Sequence, residues 1–105
     1  MSVVKSQRKL SNLEYVYNAR QLEIYTLRKC INFPKRHTFY LGKEMSELAI
    51  NIYKNVHIAY SAQLNSPQEI KIRHDCLLKA LLLCKHLAAQ LSVATEMFDI
   101  NFKHL

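Results

Sequence analysis

The stretch SPQEIKIRHDCLLKALLLCKHLAAQL, residues 66–91, decides the fold. It opens with a helix start. Ser66 is placed as N-cap, Pro67 as the first helical residue, and Glu69 as the acid that reaches back to complete a capping box. The pattern continues to about Leu91. Ile70, Leu77, Ala80, Leu81, Cys84, Leu87, Ala88 and Leu91 recur at helical spacing and are assigned to the core face. At ~100° per residue, Lys71, His74, Lys79, Lys85 and His86 fall within an arc of roughly 140° opposite that face. Leu78 and Leu82 lie inside the arc, and Ile72, Cys76 and Leu83 border it. A solvated face rarely carries so many large apolar residues. The expectation is that Leu78, Leu82 and Leu83 meet a second subunit. The competing expectation is that a short fourth helix covers them.

Upstream, a second helix is expected from about Thr38, as N-cap, to Ala62. Leu41, Met45, Leu48, Ala49, Ile52, Val56 and Ala59 form its apolar stripe, with Ile50, Tyr53, His57 and Tyr60 beside it. Gly42 falls in its first turn, where it permits close approach of a neighbour. A first helix is expected from about Ser11 to Asn32, with Leu13, Val16, Tyr17, Ile24, Leu27 and Ile31 on one face and Arg20 as a structural residue among them. It ends there because Pro34 pushes Phe33 out of the α region. Residues 1–10 read as a flexible basic N-terminus. The last stretch, SVATEMFDINFKHL, is expected to form a short fourth helix that starts near Ser92 or Thr95.

The connections are short, so successive helices should be antiparallel neighbours. The fold expected is all-α: one antiparallel up-and-down bundle over residues 1–105, with three long helices and a short fourth. Composition agrees. The 105 residues include one Gly and two Pro, too few turns for a sandwich or barrel, and are 50% apolar, enough for a core.

The net charge is +7 with a pI near 9.5. That favours an acidic partner, nucleic acid before anionic membrane. The N-terminus lacks the apolar run of a signal peptide, and CLLKALLLC is too short to span a bilayer, so a cytoplasmic protein with reduced cysteines is expected. Cys76 and Cys84 lie roughly 12 Å apart along one helix, too far for a mutual disulfide. No Cys or His pair has zinc-site spacing, and no phosphate loop, nucleophile triad or HExxH motif occurs, so neither a metal, a cofactor nor an enzyme activity is expected. The six Tyr and four Phe invite a base-stacking reading, but most fall on or beside core stripes, where packing is the expected role.

The segment FPKRHTFYLGKEMSELAINIYKNVHIAY, residues 33–60, carries more than periodicity. Its aromatic-Pro-Lys turn (Phe33, Pro34, Lys35), then Phe39, Leu41 and Gly42, then a long helix to Ala59, resembles the signature of a family of small bacterial four-helix-bundle proteins. These are the proteins of 23S ribosomal RNA intervening sequences and the accessory variability determinant proteins of diversity-generating retroelements. Lys85 and Leu87 fit a Lys-Asp-Leu pattern on the family's third helix, with His86 in place of the acid. The resemblance covers about Leu22 to Leu91. It departs at Leu82, where the family carries an Arg, and in lacking the Gly-Gly-Trp segment of the family's fourth helix. What it implies is a non-enzymatic, ring-like homo-oligomer, often a pentamer, that binds nucleic acid and partners a reverse transcriptase. Lys35, Arg36 and Lys43 at the turn, with Lys71, Lys79 and Lys85, are the residues expected to meet RNA or DNA. The alternative is a homo-oligomeric, protein-binding adaptor with no nucleic-acid role.

Overall fold

The computed structural model describes residues 5–61 and 65–98, and every element in them is helical. Helix α1 spans Lys5–Ile31, a single turn α2 spans Lys35–His37, α3 spans Lys43–Ser61, and α4 spans Pro67–Phe98. A π turn, Thr38–Gly42, joins α2 to α3. The three long helices are those expected, but α1 begins at Lys5 rather than Ser11. The short helical piece is not at the C-terminal end. Residues 92–98 continue α4 without a break, because neither Gly nor Pro interrupts them and Thr95 turns its hydroxyl onto the Leu91 carbonyl, 2.8 Å, inside the helix. Residues 99–105, the remainder of the expected fourth helix, lie outside the described residues.

Local chemistry explains the boundaries. At the end of α1 the Asn32 and Phe33 amides donate to the Lys29 and Cys30 carbonyls at 3.1 Å, tightening the last turn before Pro34. The Pro34 carbonyl accepts from the His37 amide at 2.8 Å, so helical geometry resumes at once. Thr38 therefore lies inside a helical run and does not cap it. The π turn brings Gly42 into the interior, and the Ser46 hydroxyl donates to the Gly42 carbonyl at 2.7 Å. At the start of α4 the Glu69 amide donates to Ser66 Oγ at 3.2 Å. The Ser66 hydroxyl in turn donates to the Glu69 carboxylate at 3.3 Å. The cap is real, although the carboxylate meets the hydroxyl and not the Ser66 amide. Replacing Ser66 by Ala is expected to lower unfolding stability by about 0.5–2 kcal/mol in a denaturant titration.

Helix α3 is the middle of the molecule. Helices α1 and α4 each pack along it, and much less on one another. The long axis of 49 Å matches ~48 Å for the 32 residues of α4. Contacts at the two ends register the helices. Tyr15 of α1 stacks on Tyr60 near the end of α3, and Arg73 near the start of α4 reaches the same ring. At the other end Glu44, near the start of α3, meets His86 and Gln90 of α4.

The core is built on α3 and the π turn before it: Leu41, Met45, Leu48, Ala49 and Ile52, joined by Cys30, Phe33, Leu87 and Ala94. This is the stripe expected for the second helix. The faces of α1 and α4 differ from expectation. On α1 the buried residues are Ala19, Thr26 and Cys30, with Leu22 packed beside them. Leu13, Tyr17 and Ile31 are 57, 60 and 79% exposed. Small side chains let α1 approach α3 closely, and of the expected stripe Val16, Ile24 and Leu27 are half-buried while Leu13, Tyr17 and Ile31 are turned outward. On α4, Ala80, Leu87 and Ala94 are buried, while Ile70, Leu81 and Ala88 are exposed. The buried face is centred one step round the helix, on the Ala80–Leu87–Ala94 heptad row.

Two buried hydroxyls, Tyr25 Oη and Thr26 Oγ1, have no hydrogen-bond partner among the described residues. Thr26 is fully buried. A methyl in place of its hydroxyl removes an unsatisfied polar group without changing shape. Thr26→Val is thus expected to raise stability by about 1 kcal/mol, read as a higher denaturation midpoint at unchanged slope.

Candidate nucleic-acid interface and assembly faces

The corner between α1 and α3 is basic for a reason visible in the chain. Between Glu23 and Glu44 there is no acid, and residues 24–43 carry Arg28, Lys29, Lys35, Arg36 and Lys43. The turn folds all five toward one end of the molecule. Phe33 anchors it, buried in the core cluster, while Lys35, Arg36 and Lys43 stay exposed. The Phe39 side chain lies outside the described residues. Arg36 Nε and His37 Nε2 are 3.2 Å apart. His37 also meets the Tyr40 hydroxyl through Nδ1, and the two rings cross edge to face at 5.4 Å between centroids.

The nearest acid is engaged elsewhere. Glu44 Oε1 lies 3.3 Å from His86 Nε2 and accepts from the Gln90 side chain, so it faces α4. The two ion pairs among the described residues both use histidine, the other being His74 with Asp75 at 3.6 Å. No lysine or arginine among the described residues pairs with a carboxylate. Lys29 instead lies 5.4 Å over the Tyr25 ring. Arg28 and Lys29 were not among the expected contacts. The acid-free window is the signal that marks them. They also suit the negative end of the α1 dipole.

The remaining expected contacts are exposed; Lys85 adjoins His86, which meets Glu44 next to Lys43, whereas Lys71 and Lys79 lie farther along α4. Lys71 lies at the other end of the molecule, two residues before Arg73. Lys71 and Lys85 are separated by roughly 21 Å along α4, and Lys79 points about 80–120° away from both. They form a scattered charge along α4 rather than one patch.

The apolar surface is clearer. Leu78 and Leu82 are 48 and 56% exposed, and Leu81 adds 52% beside them. Leu83 is different. It is half-buried and packs against the core cluster, because one residue turns it ~100° from Leu82, so it is not on the outward face. Helix α4 is also long and apolar enough, by length and composition, to cross a membrane, and little of it is buried. CLLKALLLC alone did not show this property.

The thiols offer little chemistry. Burial pushes Cys30 upward, partly offset by a hydrogen bond with Ser46. Burial also raises Cys84. Both stay protonated and unreactive at neutral pH. The three cysteines are free, and among the described residues no three His, Cys, Asp or Glu side chains gather at a metal-binding distance. His57 and His74, at the two sides of the second connection, have different neighbours: Tyr53 and Ser61 for the first, Asp75 for the second.

Comparison of the chain with protein-family models, with curated proteins and with solved structures finds no match.

Proposed function

We propose that this protein is a non-enzymatic, self-assembling nucleic-acid-binding accessory protein, with its successive helices antiparallel in an up-and-down bundle. The observation that carries the binding half is the basic corner: five cations from one acid-free stretch, none paired with a carboxylate among the described residues. Unpaired surface cations at one end of each subunit are suited to phosphates, because each contact releases condensed counterions. Repetition of the corner in an oligomer makes weak contacts act together. The antiparallel arrangement draws its support from contacts in which the first half of α1 meets the end of α3 and the start of α3 meets the later half of α4.

The assembly half draws its support from two unlike apolar faces. Leu13, Tyr17 and Ile31 face outward on α1, and Leu78, Leu81 and Leu82 on α4. Different faces that pair between copies give rings, whereas identical faces give two-fold dimers. The ring-like assemblies of the family that residues 33–60 resemble are consistent with this, as is a reverse-transcriptase partner. A membrane role for α4 is disfavoured by Lys79 and Lys85 within it, each costing ~2.5–3.5 kcal/mol at the centre of a bilayer. The protein would then be cytoplasmic.

Light scattering of the purified protein at low and high salt, with and without a generic single-stranded RNA, tests the reading. The expected result is a salt-resistant oligomer that gains RNA mass only at low salt. An oligomer that never gains RNA mass would overturn the nucleic-acid role and leave the adaptor. A monomer that ignores RNA would overturn both halves.

A further inference from the structure

At the end of the molecule remote from the basic corner, three helices contribute to one stack. The Tyr15 and Tyr60 ring centroids are 5.8 Å apart, with planes 14° from parallel. The Arg73 guanidinium carbon lies 4.7 Å from the centre of the Tyr60 ring. Tyr60 is half-buried. Tyr15, the last ring of the column, stays 57% exposed although Tyr60 already stacks on it. A near-parallel pair leaves the terminal ring presenting a flat π face, whereas an edge-to-face pair would not. Tyr15 also lies off the outward stripe of α1. It is ~200° round the helix from Tyr17, on the side that faces α3, so subunit contact through Tyr17 does not cover it.

We propose that Tyr15 is a stacking platform for an unpaired nucleobase, with Tyr60 and Arg73 holding its ring in place. This rests on the nucleic-acid reading above and deepens it: the basic corner binds phosphate without regard to base, and this end selects single strands. Aromatic faces accept any base, because every base has a π face. Arg73 adds cation–π attraction through Tyr60 and orders the column.

The test compares two labelled strands of equal length and charge by fluorescence anisotropy at about 0.1 M salt: a 12-nucleotide oligo-dA and its abasic counterpart. The wild-type protein is expected to bind oligo-dA at least about five-fold more tightly than the abasic strand. Tyr15→Leu should erase that ratio, and Tyr15→Phe should keep it. Circular dichroism of each variant separates this from lost folding, since a purely structural clamp would lower stability without changing the ratio. Equal binding of both strands by the wild type, or a ratio that survives Tyr15→Leu, overturns the platform and leaves the phosphate corner standing. Failure to bind either strand overturns the platform together with the nucleic-acid reading.

Discussion

If the protein assembles as proposed, Leu78→Glu combined with Leu82→Glu is expected to convert the oligomer to a 12.3 kDa monomer that keeps its helix content. Both leucines are about half exposed and neither belongs to the core cluster, so the change leaves the fold intact. In an assembled interface each leucine contributes about 1.5–3 kcal/mol of burial. Replacing it by a carboxylate loses that and desolvates a charge without a partner, which costs several kcal/mol more. Two such sites sum to at least about 6 kcal/mol, more than a 10⁴-fold loss in association. Leu83→Glu is the contrasting variant. That residue packs on the core, so its replacement should lower stability, not only assembly. Mass by light scattering decides the matter. A double variant that keeps the mass of the wild-type oligomer would show that this α4 face is not the interface. A wild-type protein that floats with lipid vesicles would show that a bilayer covers it instead.

Reversing the corner gives the second large effect. In the proposed interface, Lys35→Glu with Arg36→Glu removes two phosphate contacts from each subunit. With a slope of ~0.7–0.9 per contact, the plot of log affinity against log salt should flatten by about 1.4–1.8. At 0.1 M salt that corresponds to an affinity loss of about 25–60-fold per subunit engaged, before any repulsion from the new carboxylates. Lys71→Glu with Lys79→Glu changes net charge equally but lies along α4, away from the corner. It should cost clearly less. Equal losses from the two pairs would mean that overall charge, and not the corner, drives binding. An unchanged slope in the Lys35/Arg36 variant would remove the corner from the interface altogether.

Much of the architecture was legible along the chain because its signals are local. Pro34 excludes a helical Phe33, and the Ser66–Pro67–Glu69 sequence satisfies the first amides of α4. Each acts within one turn and needs no distant residue. The α3 stripe was legible too, because its apolar residues occupy one side and polar residues the other. The missing C-terminal break was not, since Ser92 and Thr95 serve equally as caps or as interior residues that bond back to the preceding turn. The basic corner was half visible. Lys35 and Arg36 stand together in the turn, but Arg28 and Lys29 join them only because the chain reverses at Pro34.

The sequence by itself determined an all-helical chain, the presence of its three long helices, and their punctuation at Pro34 and Ser66. Tertiary structure decided which faces are inside. Helices α1 and α4 carry apolar residues over more than half of their circumference, so periodicity offers two stripes on each and cannot choose between them. Close packing against α3 makes the choice. It admits Ala19, Thr26 and Cys30 from α1 and Ala80, Leu87 and Ala94 from α4, where small side chains let backbones approach, and it leaves Tyr17, Ile31, Leu78 and Leu82 outside. Burial free energy depends on the shape of the partner surface as well as on the residue that is buried, and that surface exists only once the helices meet.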